Sequence, residues 1–273
     1  MKEGFPKEIK YVEKGDTSQE ERDVNIIMEN VKVDSGRVLE KIRSEIDNHQ
    51  YGAILGIDGG GRVPALVLGK TINNIYESRK QEKIKTFFLA GLRSLGAYGK
   101  EGEKLEQLKE YFGNETFQTI KNKNEKILIV EDVVVSGESL KLILNTLQSL
   151  QLQYEIATQS FFDSSIENNT YSEGDITEME EKLGSKIHYG EYGGISKLYG
   201  SKQMQGVHKS PDNLFSKPLN IPVSKPSRIK IPPAGEHSFE FVEESQNKEI
   251  LRYTRNLVSK ISEELTEEYL KQK

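Results

Sequence analysis

Glu131 and Asp132 stand side by side at the end of the apolar run 126-KILIVE-131, and the small, hydroxylated turn 135-VSGES-139 follows within a few residues. A buried strand has no use for adjacent carboxylates at its end unless something at its tip engages them. Such a pair accepts hydrogen bonds from neutral hydroxyls or holds a cation. The turn beyond suits an oxyanion. Ser136 and Ser139 bring hydroxyl donors, Gly137 permits a close approach or a positive φ, and a helix starting after the turn directs free N–H groups at it. Glu138 is the odd member, because a carboxylate beside an anion is repulsive, so it is expected to face solvent or a cation. A sugar phosphate satisfies both halves, with its terminal phosphate in the turn and its vicinal diol on the acids. A second anion-binding loop is expected in 59-GGGR-62, through Gly59, Gly60, Gly61 and Arg62, although glycines also serve any tight strand-to-helix connection.

These loops act together only if the elements around them bring them to one end of a sheet. The pattern supplies that arrangement. A capping box at Ser18–Glu21 predicts a short helix through Met28, and Val38, Leu39, Ile42 and Ile46 predict another that ends near His49. Strand 53-AILGID-58 leads through the glycine turn into a helix over 63–76 with Pro64 in its first turn. Strand 84–91 precedes a polar stretch, 92–124, with one short helix near Leu105 to Tyr111. Strand 126–131 feeds a helix carrying Leu140, Ile143, Leu144, Leu147 and Leu150; strand 154–162, a helix near 176–183 and strand 186–190 complete the series. Strands alternating with helices imply a parallel sheet covered on both faces, with ligands bound beyond the carboxyl ends of its strands.

Four regions follow: an N-terminal extension (1–36), an α/β core (37–190), a Pro- and Lys-containing arm or hood (191–244) and a C-terminal helix (245–273). That last helix has Ile250, Leu257, Ile261 and Leu265 on one side, and is expected to pack on the core or on a second subunit as in a homodimer.

Composition removes several classes. With no cysteine among 273 residues, disulfides, thiolate catalysis and Cys-based zinc sites are excluded. His49, His188, His208 and His237 share no metal-ligand spacing, and a net charge of -5 speaks against a protein built to coat nucleic acid. No apolar run has membrane-spanning length and the start MKEGFPKEIK lacks a secretory h-region, so a cytoplasmic protein with no membrane contact is expected. The GKT at 69–71 is not a nucleotide-binding P-loop: seven residues separate Gly61 from Gly69, and the triplet falls inside a helix.

The stretch 128-LIVEDVVVSGESL-140 resembles the signature of the type I phosphoribosyltransferases: a hydrophobic strand, two acids, a short apolar spacer and a Ser/Thr-Gly-x-Ser/Thr cradle. The resemblance covers about residues 37–190 and implies a parallel-sheet, Rossmann-like core. It implies that Glu131 and Asp132 take the ribose hydroxyls of phosphoribosyl pyrophosphate (PRPP). Val135, Ser136, Gly137, Glu138 and Ser139 would wrap its 5-phosphate, and Gly59, Gly60, Gly61 and Arg62 its pyrophosphate. A mobile loop over the reacting centre is implied at 91–104, with Arg93, Lys100 and Lys104 available. Magnesium (Mg2+) is implied as cofactor, held by Asp132 through the diol or water, and the reaction transfers the phosphoribosyl group to a small-molecule nitrogen acceptor. Members that act on hypoxanthine or guanine carry an acid where this chain has Val135, which speaks against that acceptor class. The alternative is a regulatory module that binds PRPP or a nucleotide without catalysis, using the basic segment 217–233. The plain structural reading of 128–139, a strand followed by a helix capped by Ser136 or Ser139, leaves the two acids unexplained.

Overall fold

A computed structural model of the chain describes residues 19–90, 101–161, 173–193, 207–208, 217–218 and 244–272. Its elements run α1 (Gln19–Lys41), α2 (Arg43–Asp47), β1 (Tyr51–Asp58), α3 (Arg62–Ser78), β2 (Lys85–Ala90), α4 (Glu101–Phe112), α5 (Glu115–Asn122), β3 (Lys126–Val134), α6 (Lys141–Ser149), β4 (Gln153–Phe161), α7 (Glu173–Leu183) and β5 (Ile187–Tyr192). Then come two short strands, β6 (Val207–His208) and β7 (Lys217–Pro218), paired antiparallel, and a long helix, α8 (Glu244–Lys271).

β1 to β5 form one all-parallel sheet in the order β2-β1-β3-β4-β5. The chain reverses its direction of travel across the sheet between β1 and β3, and crevices at such switch points are where ligands bind in open parallel sheets. Alternation along the strands splits the apolar residues between two cores. Leu128 and Val130 of β3 join Val31, Val38, Val67, Leu68, Val258 and Ile261 on one face, beneath α1, α3 and α8. Ile127 and Ile129 join Leu108, Phe112, Phe117, Ile143 and Leu147 on the other, beneath α4, α5 and α6.

Three elements depart from the sequence reading. The first expected helix and the start of the second form one helix, α1, with residues 43–47 of the second set off as α2; the buried positions Val24, Met28, Val31, Ser35 and Val38 of α1 recur every three or four residues through the polar stretch that hides them. Gly36 lies in that stretch, and α8 approaches it closely: a methyl there would stand 3.4 Å from Leu265 Cδ2. In the polar segment after β2, the helix α4 is longer than expected and a second helix, α5, follows, capped by Asn114, whose Oδ1 accepts from the Thr116 and Phe117 amides at 2.9 and 3.4 Å. β3 does not stop at the acids. Val133 and Val134 extend it, paired with Ser160 and Phe161, because β-branched residues suit a strand covered on both faces.

α8 packs along α1 and α3 through Val258, Ile261, Leu265 and Tyr269, so this helix covers the core of its own chain. At the amino ends of the strands, Glu155 ties four of them together. It accepts from the Tyr51 hydroxyl at 2.6 Å and the Lys126 ammonium at 2.7 Å, and His188 Nε2 stands 3.2 Å away. Burial pushes the Glu155 carboxyl up, but the hydrogen bonds from His188, Lys126 and Tyr51 outweigh it and hold the group down at about 2. Burial and the neighbouring Glu155 charge raise the Tyr51 hydroxyl far above its ordinary value.

Candidate functional site

β1 and β3 pair only as far as Gly56↔Val130, whereas β3 and β4 continue to Val134↔Phe161. The sheet therefore opens between β1 and β3 at the level of Glu131 and Asp132, and the glycine turn fills the opening from the β1 side. Gly59 has φ of 107°, a conformation that favours glycine. Gly60 lies so close to Asp132 that a methyl in place of its hydrogen would overlap the carboxylate. Gly61 is the residue before α3, wedged between the carbonyls of Val130 and Ile57; a Cβ there would stand 2.7 Å from the Ile57 oxygen. The glycine turn is thus in contact with β3 at Asp132.

Asp132 is 4% exposed and Glu131 6%. Asp132 lies against Gly60, ahead of α3, and because successive strand residues leave opposite faces, strand alternation directs Glu131 away from it. Among the described residues Asp132 makes no hydrogen bond and no ion pair. A buried carboxylate in that condition is costly unless a ligand, water or a cation completes it.

The 135–139 turn is held from below by α7. Lys182 Nζ donates to the Ser136 carbonyl at 2.8 Å and stands 3.8 Å from the Glu138 carboxylate, which is exposed. Gly137 has φ of 71° and is pressed on Leu183, whose Cδ2 would be 2.7 Å from an added Cβ. Val135, Ser136 and Ser139 are half-buried. The amides of Leu140 and Lys141 turn back to the Gly137 carbonyl, at 3.0 and 3.2 Å, and the Glu138 amide meets Ser136 Oγ at 3.5 Å. No acceptor among the described residues takes the amides of Ser136, Gly137 or Ser139. The residue before α6 is Leu140, with no side-chain cap bond, so neither serine serves as the helix cap that the plain structural reading requires.

Arg62 lies with its guanidinium 4.0 Å over the Phe88 ring of β2. Arg93 and Lys100 lie outside the described residues. Lys104, expected on a loop, sits in α4 and is only 2% exposed, on the stripe that continues through Leu108 and Phe112 into the core; four-residue spacing, not loop composition, decides its place. The GKT triplet is interior to α3, where Thr71 Oγ1 donates to the Val67 carbonyl at 2.9 Å and Lys70 Nζ to Ser259 Oγ at 2.7 Å.

Two residues near the site escaped the sequence reading. Lys182 gave no linear signal, being one of several charges in the last turns of a helix. Gln159 did, as a polar side chain in the middle of the strand-like run 154-YEIATQSFF-162, and it is 2% exposed. No described helix is long and apolar enough to cross a membrane, and no three metal-ligating side chains come together among the described residues. The sequence matches no known protein-family model and no curated protein.

Proposed function

We propose that the chain is a phosphoribosyltransferase that binds PRPP at the β1–β3 switch point and transfers its phosphoribosyl group to a nitrogen acceptor, releasing pyrophosphate. One observation carries the reading: Asp132, a buried carboxylate with no protein partner among the described residues, faces the glycine turn and stands three residues before a turn whose Ser136, Gly137 and Ser139 amides have no described acceptor. Adjacent sites for hydroxyls and for an oxyanion are what a sugar phosphate requires.

In this reading the Ser136, Gly137 and Ser139 amides and hydroxyls hold the 5-phosphate, with Lys182 adding positive charge beside it. Asp132 accepts from the ribose hydroxyls, and the backbone of Gly59, Gly60 and Gly61 approaches the pyrophosphate. The acceptor nitrogen attacks the anomeric carbon as the bond to pyrophosphate oxygen breaks, through a transition state with oxocarbenium character, so the protein's share is positioning and charge stabilisation. A lone unpartnered carboxylate fits magnesium held jointly with the substrate, since this ion commonly takes one or two carboxylates and completes its shell from substrate oxygens and water. When bound, magnesium would neutralise charge on the leaving pyrophosphate. Val135 offers no proton acceptor, which directs the search away from hypoxanthine and guanine.

The test is pyrophosphate release from PRPP and magnesium across a panel of nitrogen bases. Release with one acceptor is expected. Tight PRPP binding without release for any acceptor would favour the regulatory module instead.

A further inference from the structure

The geometry points to Gln159 as the second acceptor for the sugar's hydroxyls, alongside Asp132 and in the place that adjacency in sequence suggests for Glu131. This rests on the phosphoribosyl reading of the site.

The pairs Glu131↔Thr158 and Val133↔Ser160 bracket Asp132 and Gln159, so these two stand level on neighbouring strands, with backbones about 4.8 Å apart. They also share a face. Asp132 lies against Gly60 ahead of α3, and Gln159 Nε2 donates to Ser35 Oγ of α1 at 3.3 Å; α1 and α3 cover the same side of the sheet. Glu131 leaves from the opposite side.

Gln159 is fixed and incomplete. Ser35, fully buried, holds its nitrogen, while its Oε1 is buried with no hydrogen-bond partner among the described residues. A buried acceptor left open beside an open carboxylate is what two adjacent hydroxyls complete: each donates one hydrogen bond, one to Asp132 and one to Gln159. An apolar side chain of the same size would pack at least as well there. The carboxamide costs the fold and is explained by a ligand that donates to it.

The experiment titrates wild-type protein and Gln159→Leu with ribose 5-phosphate and with its 2-deoxy and 3-deoxy analogues, and follows thermal unfolding of both proteins. The wild type should prefer ribose 5-phosphate over both analogues. Gln159→Leu should unfold no earlier than wild type, bind ribose 5-phosphate about 10-fold more weakly, and lose its preference over one of the two analogues, the one lacking the hydroxyl that Gln159 accepts. Equal losses for all three sugars, or no loss, in the folded variant would overturn the assignment of Gln159 and leave the site reading intact. Failure of the wild type to bind any of the three would overturn the site reading and this inference with it. Gln159→Met, flexible and of similar volume, provides the same comparison if the leucine variant does not fold.

Discussion

Gly60 and Asp132 occupy each other's space: the carboxylate of one rests where the side chain of any other residue at position 60 would have to be. The turn after β1 and the tip of β3 are therefore fitted to each other, and the position of the acid depends on the absence of a side chain opposite.

Gly60→Ala should accordingly displace Asp132 and weaken binding of PRPP by at least about 10-fold, comparable to losing a hydrogen bond to a charged group. Gly102→Ala, at the second residue of α4 and with nothing within 4 Å of the added methyl among the described residues, is the control for stability and should change it by no more than about 0.5 kcal/mol. Calorimetric titration and denaturant unfolding of the two variants check both halves.

Asp132→Asn removes a buried charge that no described residue pairs. Stability should hold or rise by up to about 1 kcal/mol, while PRPP binding weakens by about 1.5–3 kcal/mol. Opposite signs for stability and binding mark a residue kept for a ligand. A large loss of stability would instead mark Asp132 as structural.

Most of the architecture is legible in the chain because its helices and strands are long enough to show their periods. The alternation of strand and helix from Ala53 to Tyr189 gives the parallel sheet, and 126-KILIVE-131 gives its central strand. What escapes is set by contacts between distant residues. α5 depends on Asn114 as its cap and on Phe117 packing against Phe87 and Phe112, which no local period reveals. The adjacency of Glu131 and Asp132 in sequence suggests a pair, whereas the β3–β4 register brings Gln159, distant in sequence, level with Asp132 on the neighbouring strand.

The Glu155 cluster predicts how stability depends on acid. Its carboxyl titrates at about 2 in the folded chain against an ordinary 4.5, so the folded state gains stability from it above about pH 4.5 and loses that gain as pH falls toward 2. The full difference is on the order of 3 kcal/mol. Glu155→Gln should be less stable at neutral pH and show a shallower loss between about pH 5 and 3, read from urea unfolding at several pH values. An acid limb as steep as that of the wild type would remove Glu155 from that role.

Leu265 is 3% exposed where α8 crosses Gly36 of α1. Leu265→Ala should cost about 2–4 kcal/mol of stability, and PRPP affinity at a temperature where the variant remains folded should not change. Thermal unfolding and calorimetry together separate the two.

If the crevice where β1 and β3 part is a PRPP site, direct calorimetric titration of the purified chain with PRPP and magnesium shows it most plainly. Saturable binding of one molecule per chain is predicted, weakened at least about 10-fold in Asp132→Asn. No binding by the folded wild-type chain, or equal binding by the wild type and the Asp132→Asn variant, would contradict it.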